Sequence, residues 1–370
     1  MRVLHAPVNV GNQPWTLSRA ERALGVKSDL VVNYNTWLGY PADRVLSEYR
    51  SKTRRDRLRR GIAGFTSPLR YNVLHYYFGR SLLLWDDYGD GEGWPFLDLR
   101  WAKRLGRKVF FTLQGCDARL AGASNARNPV TMCKPEGCSA YAVCRADLDR
   151  RRQSLIDDIL PLADRVFYLN PELGHYVPMG QFLPYANVDV EAIRPEPTGE
   201  RARPLILHAP SDPTVKGTAL IEAALAELTG EFDFEYSAVR NRPHHEAMQL
   251  YRAADLVIDQ VLAGWYGGFA VELMAMGKPV ACYLREADLQ FVPAAMRPQL
   301  PVLPLDPRTL AADLAGLLRR RAEWREWGRR GREFVLAWHN PRRIAAAMVA
   351  AYRDPQSRFT LNATGASCAA

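Results

Sequence analysis

The chain has 370 residues, 48% of them hydrophobic and 24% charged, with a formal net charge of +9. This length suggests about two domains, and the composition is that of a globular protein able to bury two cores. No apolar run approaches the ~20 residues of a membrane span, and the N-terminus lacks a signal peptide's long apolar region, so we expect a cytoplasmic protein. The positive charge favours anionic partners, namely phosphates, lipid head groups or nucleic acid.

The first half of the chain predicts alternating strands and helices, the order of an α/β fold. Residues 2–10 predict a first strand, Gly11, Asn12 and Gln13 a loop, and residues 15–24 a helix ended by Gly25. Further strands are predicted at residues 28–34, 108–113 and 165–169. A polar segment at residues 196–204 contains Pro and Gly and no apolar period, and it is the best linker in the chain.

The densest basic run extends from Arg50 to Arg60 and reads RSKTRRDRLRR, with the apolar segment 61–65 after it. A basic helix beside an apolar strip can lie on anionic lipid, which contributes ~1 kcal/mol per Lys or Arg near the surface. The alternative is a solvated helix face. No recognisable nucleic-acid module surrounds the run, so we expect no nucleic-acid partner.

The second half restarts the α/β alternation with a strand at residues 205–208. The loop 209–218 opens a helix to Leu228, and residues 254–259 predict another strand. A glycine-rich turn follows, and residues 269–276 predict a helix that Gly277 and Pro279 end. A strand, a glycine loop and a helix N-terminus together form an anion site, because free amides and the positive dipole end face the ligand. Residues 309–336 predict one helix, and residues 344–352 the last.

The segment from Glu272 to Val280, ELMAMGKPV, resembles the donor site of family 4 retaining glycosyltransferases. The resemblance implies the GT-B fold, an α/β architecture of two Rossmann-like domains facing across a cleft. It divides the chain into an acceptor domain at 1–195, onto which a helix at 341–353 packs back, and a donor domain at 203–340.

The resemblance also assigns site residues. The Lys-Gly-Thr sequence at Lys216 normally holds the donor diphosphate, and the glutamate matching Glu272 usually binds the nucleotide ribose; we take both residues as catalytic candidates. The family's first glutamate, which contacts the donor sugar, is replaced by Gly264. The full donor-binding set is Ser211, Lys216, Gly217, Thr218, Gly267, Gly268, Phe269, Ala270 and Glu272. The acceptor side would comprise Gly11, Asn12, Gln13, Gln114 and Asp117.

The implied reaction transfers a sugar from a UDP- or GDP-sugar to a glycan, lipid-linked or small-molecule acceptor, with retention and without a catalytic metal. The growing charge on the diphosphate would be met by Lys216 and by amides of the glycine turn. Two rivals stay open, because fold does not settle function. One is a nucleotide-sugar 2-epimerase or sugar phosphorylase of the same fold, and the other a non-catalytic nucleotide-sugar binder. Association with the inner membrane face through the basic run is a further expectation.

Three cysteines, Cys133, Cys138 and Cys144, cluster in a loop-like insertion, and Cys116 lies upstream. Four thiols could form a tetrahedral zinc site that staples the insertion. Their intervals differ from the Cys-x2-Cys spacing typical of zinc, so unligated thiols are the alternative.

Overall fold

The computed structural model describes residues 1–361 except 37, 50, 52, 84–93, 200 and 241. By internal contacts the chain divides into two compact units. Unit 1 comprises Met1–Leu120, Ala146–Val188 and Pro341–Asn362, and unit 2 comprises Ala121–Arg145 and Asp189–Asn340. The segment Ala121–Arg145, which we call the insertion, groups with unit 2, although the sequence placed it in the first domain. The boundaries of independent folding domains stay a prediction.

Unit 1 is built on a parallel sheet. Its described residues form seven strands in the order β3-β2-β1-β4-β5-β6-β7. Their bounds are β1 Arg2–Ala6, β2 Lys27–Val32, β3 Arg44–Val45, β4 Val73–Tyr77, β5 Lys108–Leu113, β6 Arg165–Tyr168 and β7 Gly180–Phe182. The central strands are buried and apolar, as expected for a parallel sheet covered on both faces.

Helices cover this sheet and tie the end of the chain to it. They are α1 Gln13–Ala23, α2 Arg54–Arg70, α3 Leu97–Arg104, α6 Asp149–Ser154 and the last helix, α13 Pro341–Arg353, while α4 Ala121–Arg127 and α5 Tyr141–Val143 lie in the insertion. Helix α13 packs on α1, and the hydroxyl of Tyr352 lies 2.6 Å from Nδ1 of His75 on β4. The last helix therefore belongs to unit 1.

Unit 2 contains the second parallel sheet. Within its described part, five strands run in the order β12-β11-β10-β8-β9. They are β8 Leu205–His208, β9 Glu235–Ala238, β10 Leu256–Ile258, β11 Val280–Cys282 and β12 Val302–Pro304. The helices are α7 Pro213–Lys216, α8 Thr218–Leu228, α9 His244–Arg252, α10 Gly268–Ala275, α11 Leu310–Arg319 and α12 Trp324–Trp338.

The single helix predicted over residues 309–336 is wrong, because the chain turns at Arg321–Glu323 between α11 and α12. Trp324 begins α12 with 1% exposure, and its indole N–H donates to the carbonyl of Leu317 on α11 at 3.0 Å. Burial of this ring outweighs the continuous helical pattern. Further along α12, Gly328 passes against the carbonyl of Gly277, where a Cβ would clash.

No helix in the described part of the chain is long and apolar enough to cross a membrane.

Candidate functional site

The candidate donor site lies at one edge of the second sheet. Strands β8 and β10 are parallel neighbours that end in register at His208 and Ile258. Their following loops therefore emerge at the same edge, where ligands of α/β folds collect. The first loop leads through α7 into α8, and the second leads through the glycine turn into α10. The N-termini of α8 and α10 therefore lie beside this edge.

Lys216 is paired with a buried carboxylate that the sequence interpretation missed. Its Nζ lies 2.7 Å from Oδ1 of Asp259, and the two side chains are 12% and 0% exposed. The other oxygen of Asp259 accepts the amide N–H of Gly267 at 2.5 Å. The Gly267 amide, expected to face the ligand, therefore has a protein partner. The carboxylate links the end of α7 to the turn before α10.

The hydroxyl of Thr218 is also committed within the protein. His208 is buried, with Nδ1 2.8 Å from the carbonyl of Ile258 and Nε2 2.9 Å from Oγ1 of Thr218. Since a carbonyl only accepts, Nδ1 carries the proton, and the Thr218 hydroxyl donates to Nε2. Burial lowers the pKa of His208 to about 4, so the ring is neutral. Any donation by Thr218 to a phosphate is therefore left to its backbone N–H.

Glu272 lies on α10 and is held by a residue of α9. Its Oε1 is 2.9 Å from Nε2 of His244, and the side chains are 5% and 23% exposed. Burial disfavours the imidazolium, but the hydrogen bond and charge of Glu272 outweigh burial and raise the pKa of His244. The pair fixes the carboxylate at the second turn of α10, next to the partly exposed start of this helix.

Gly264 stands where the resembling family has its first glutamate, and an arginine fills the space beside it. Gly264 has φ +74°, and a Cβ there would lie 2.6 Å from Nη1 of Arg285. Arg285 is buried, lies 2.6 Å from Oδ2 of Asp288 and donates to the carbonyl of Val130 at 2.8 Å. The absent side chain at Gly264 thus makes room for a cation that holds the insertion on unit 2.

The other predicted donor residues differ in access. Ser211 is exposed, Gly268 and Phe269 are half-buried, and the side chain of Ala270 is buried. Gly217 has φ +76°, and a Cβ there would lie 2.6 Å from Cγ2 of Val261. Gly217 therefore serves a tight backbone crossing between the two loops.

A cavity of about 560 Å³ adjoins the start of α8. The insertion forms one wall with Val130 and Thr131, and Gly217 and Thr218 form part of the other. Because Arg285 binds the carbonyl of Val130, the buried arginine supports this wall. The insertion therefore contributes directly to the surroundings of the phosphate-binding candidates.

On the acceptor side, the loop after β1 is tied into unit 1. Asn12 donates to the carbonyl of Asn187 at 3.0 Å, and Oε1 of Gln13 accepts the amide N–H of Ala186 at 2.5 Å. Gln13 is 1% exposed, so its side chain holds the loop in place. Gly11 and Asn12 both have φ 60° and are half-buried.

The second acceptor-side segment follows β5. Asp117 accepts the amide N–H groups of Gln114 at 2.9 Å and Gly115 at 2.6 Å. Burial raises the pKa of Asp117, although these backbone bonds oppose the shift. Nearby, the buried pair of Arg119 and Glu172 meets at 2.8 Å. Asp117 therefore shapes the turn and leaves the half-buried Gln114 as the more accessible side chain.

The cysteines do not form the zinc site considered from sequence. No group of three or more His, Cys, Asp or Glu residues could hold a metal ion in the described ranges, which include all four thiols. Cys116 belongs to unit 1, whereas Cys133, Cys138 and Cys144 belong to unit 2. Cys133 and Cys144 are buried, which is usual for a cysteine that packs as a small apolar side chain.

No protein-family model matches the sequence, and no curated protein matches it significantly. Solved structures, in contrast, match along almost the whole chain. The sucrose-phosphate synthase of Thermosynechococcus elongatus has a TM-score of 0.60 at 17% identity, covering 96% of this chain and 99% of that one. HepE of Anabaena, in complex with UDP-glucose, has a TM-score of 0.58 at 10% identity, covering 94% and 99%. A putative UDP-N-acetylglucosamine 2-epimerase of Listeria monocytogenes has a TM-score of 0.53 at 11% identity, covering 98% of both chains.

The chain has the GT-B fold. The predicted fold class, α/β with two Rossmann-like units, is thereby confirmed. Similarity at these identities shows the fold alone, so membership of family 4 and retention stay predictions.

Several residues of the site were not predicted from sequence: Asp259, His244, Arg285 and His208. Asp259 was placed at the end of a strand, where functional carboxylates often lie, and this position was the available signal. His244 and Arg285 reach Glu272 and Gly264 from other elements, so no local spacing indicates them.

Proposed function

We propose that this protein is a glycosyltransferase that moves a sugar from a UDP- or GDP-sugar to a hydroxyl of a glycan, lipid-linked or small-molecule acceptor, with retention. The observation that carries the proposal is the cluster of Lys216, Asp259 and Gly267 between two helix N-termini. Lys216 is a cation beside the N-termini of α8 and α10, and both features favour a diphosphate. Asp259 already pairs with Lys216 and accepts the N–H of Gly267, so a bound diphosphate would share the lysine with this carboxylate. Similarity in fold to a protein that binds UDP-glucose supports it.

In the proposed reaction, the bond from the anomeric carbon to the diphosphate oxygen breaks, and a bond to the acceptor oxygen forms. The hydroxyl proton passes to the departing phosphate oxygen, which balances the step without a protein base. The diphosphate gains charge as it leaves, so Lys216 stabilises the transition state more than the bound donor. Asp259 orients the ammonium, and Glu272 accepts hydrogen bonds from the ribose hydroxyls.

The proposal assigns the neutralising charge to protein groups rather than to a catalytic metal. Turnover should then be unchanged by EDTA. Loss of activity with EDTA that Mg²⁺ or Mn²⁺ restores would contradict the proposal that no catalytic metal is needed.

The test is turnover over a panel of UDP- and GDP-sugars with pooled saccharide acceptors, scored by release of nucleoside diphosphate. Lys216→Gln should lower kcat by about 10²–10³, the effect of losing one preorganised charge-stabilising donor, with a smaller change in donor affinity. Lys216→Arg keeps the ion pair with Asp259 but replaces a compact ammonium by a planar fork, so it should recover only part of kcat. Lys27→Gln is the control, since Lys27 is exposed and lies in unit 1.

The outcomes separate the rivals. A 2-epimerase would convert the nucleotide sugar to an isomer without any acceptor. A non-catalytic binder would be stabilised by the donor and would release no diphosphate. A folded Lys216→Gln protein with wild-type turnover would remove Lys216 from the proposed chemistry.

We also propose that the protein docks peripherally on an anionic membrane at the cytoplasmic face. Helix α2 carries an apolar stripe of exposed residues spaced four, three and four apart: Leu58, Ile62, Phe65 and Leu69 are 63%, 51%, 40% and 60% exposed. Basic residues of the same helix flank the stripe: Arg54, Arg55, Arg57 and Arg59. An apolar face bordered by arginines suits the interface of an anionic bilayer.

The basic surface is smaller than the predicted run from Arg50 to Arg60. Arg60 is 3% exposed and donates from Nε to Oγ of Ser47 at 3.0 Å, so it points into unit 1. Arg50 and Lys52 lie outside the described residues. The basic part of the docking surface is therefore confined to the first turns of α2, whereas the apolar stripe extends to Leu69.

A further inference from the structure

We propose that a small cavity of unit 1, which none of the residues predicted from sequence lines, is a subsite for one neutral sugar ring of the acceptor. The cavity has a volume of about 150 Å³ and lies where β1, β2 and β4 end. The residues that define it are Asn9, Tyr34, Tyr40, Tyr49, Phe78 and Arg80. The inference rests on the proposed glycosyl transfer and names the ligand class and the residues of its acceptor side.

Asn9 supplies the first reason. It is 7% exposed, and its Nδ2 donates to the carbonyl of Pro41 at 2.9 Å. Because only the amide N–H₂ can donate to a carbonyl, this bond fixes which end of the side chain is the oxygen. Oδ1 is buried and has no hydrogen-bond partner among the described residues. Buried acceptors are rarely left unpaired, and a hydroxyl of a bound ligand would satisfy this one.

The aromatic rings supply the second reason. The rings of Tyr34 and Tyr49 meet edge to face with centroids 5.1 Å apart. Tyr34 is buried, whereas Tyr49 is 51% exposed and forms the rim. Tyrosine offers an apolar face and a polar tip. A pyranose ring matches this, since its C–H faces are apolar and its hydroxyls bond to amide and phenol groups.

The backbone of the cavity supplies the third reason. Phe78 has φ +57°, and Gly79 follows with φ +58°. A bulky residue with positive φ is uncommon, and such strain clusters where a ligand is held. A Cβ at Gly79 would lie 2.7 Å from Cδ2 of Leu155, so glycine is needed there. This turn presents Arg80, whose Nη1 donates to the Tyr34 hydroxyl at 2.8 Å.

The cavity is lined mostly by uncharged residues, which suits a neutral ligand. Among the described residues that line it, Arg80 is the only one charged at neutral pH, and its guanidinium is engaged by Tyr34 and lies 5.5 Å from the ring centroid of Phe78. A cavity of this size takes a single ring, since pockets for larger ligands enclose about 300–1,000 Å³.

The test is binding of methyl α-D-glucopyranoside, methyl α-D-mannopyranoside and methyl β-D-galactopyranoside to the full chain by saturation-transfer NMR, with cyclohexanol as the apolar control. At least one glycoside should bind with a Kd of about 1–50 mM, the range of a single small ring. Asn9→Leu and Tyr49→Ala should each weaken binding about tenfold, the loss expected for one hydrogen bond or one stacking surface. Tyr49→Phe keeps the ring and should stay within about threefold of wild type.

Failure of this inference can be told from failure of the proposed function, because donor binding is measured on the same samples by thermal shift with UDP-glucose and GDP-mannose. Stabilisation by a donor without binding of any glycoside overturns the subsite alone. Glycoside binding that survives both Asn9→Leu and Tyr49→Ala places the sugar elsewhere and also overturns it. Since Tyr49 is exposed, Tyr49→Ala keeps the test decisive if Asn9→Leu does not fold.

Discussion

At the scale of single residues, the partner of Lys216 changes what its mutation would report. A lysine at a helix start that had no partner would slightly oppose the dipole, and its removal would be harmless to stability. In the structure it neutralises Asp259, whose side chain is 0% exposed. Taking away one member of a buried pair leaves the other charge without compensation. Stability and catalysis must therefore be measured separately at this position.

We predict that Lys216→Ala lowers the free energy of unfolding by about 3–5 kcal/mol, because Asp259 stays buried without its counter-charge. The double variant Lys216→Ala/Asp259→Ala should recover part of this loss. Lys27→Ala should stay within about 0.5 kcal/mol of wild type, as exposed substitutions do. Urea denaturation gives all three values, and equal effects at Lys216 and Lys27 would refute the pairing.

A second residue-scale prediction concerns Gly264. Gly264→Ala should lower the free energy of unfolding by about 2–5 kcal/mol, since positive φ costs about 1–2 kcal/mol and overpacking against Arg285 about 1–3 kcal/mol. Gly316→Ala is the matched control, because Gly316 lies inside α11 and a Cβ added there would meet no described atom within 4 Å. That control should stabilise by about 0.5–1 kcal/mol. A neutral Gly264→Ala would show that Arg285 moves away freely.

The same contact predicts that restoring a glutamate at Gly264 does not restore a sugar-binding carboxylate. The space belongs to Arg285, which is fixed by Asp288 and the carbonyl of Val130. In the proposed reaction, selection of the donor sugar would therefore fall to other residues.

At the scale of elements, α2 combines two attractions that can be separated by experiment. In the proposed docking, the apolar stripe would bind through buried area, which salt hardly changes, and the arginines would bind through charge, which salt screens over ~8–10 Å. A helix face that is only solvated would show neither the salt-independent nor the salt-dependent binding to vesicles.

We predict that Leu58→Gln/Leu69→Gln reduces co-sedimentation with anionic vesicles at every salt concentration. Arg54→Gln/Arg55→Gln should remove the salt-dependent part and flatten the difference between anionic and neutral vesicles. Leu24→Gln is the control, since Leu24 is 46% exposed and lies outside α2. Wild-type protein that binds neither vesicle would end the docking proposal.

At the scale of the whole molecule, each unit buries a histidine in its core. His75 is 2.7 Å from Oγ1 of Thr112 and 2.6 Å from the Tyr352 hydroxyl. Burial, and after it the neighbouring His5, lower the pKa of His75 well below its usual range. In unit 2, burial lowers the pKa of His208 to about 4, with Lys216 also lowering it and Ile258, Asp259 and Glu222 opposing. The free energy of unfolding therefore depends on pH.

The direction of this pH dependence follows from the number of protons that the folded and unfolded states bind. Below about pH 6.5 the unfolded histidines bind protons that the folded ones do not, so the stability present above that pH is lost as pH falls. Between pH 6.5 and 5.5 each histidine should lower the free energy of unfolding by about 1 kcal/mol. For His208 this loss continues to about pH 4. His244, whose pKa is raised, acts in the opposite sense above pH 6.5.

We predict that His208→Asn, whose amide can still donate to the carbonyl of Ile258, loses less stability than wild type between pH 6.5 and 5.5. Urea denaturation at several pH values measures the difference, about 1 kcal/mol over that interval. Parallel curves for the two proteins would contradict a neutral buried His208.

The amino-acid sequence by itself determined the α/β class, the two halves and the elements that carry the phosphate-binding candidates. Those features depend on local patterns: apolar runs for buried parallel strands, and glycines before helix starts. Lys216, Glu272 and Gly264 were singled out by the resemblance to family 4 glycosyltransferases. The strand and the helix around Gly264 and Glu272 lie close to their predicted positions, at β10 and α10.

Only the tertiary structure decided what those residues touch. Asp259, His244 and Arg285 meet Lys216, Glu272 and Gly264 across separations of 43, 28 and 21 residues. Tertiary packing also decided that the insertion groups with unit 2 and that the helix breaks between α11 and α12. Burial of a charge or a ring is decided by neighbours from distant elements, and no local period of the sequence carries that information.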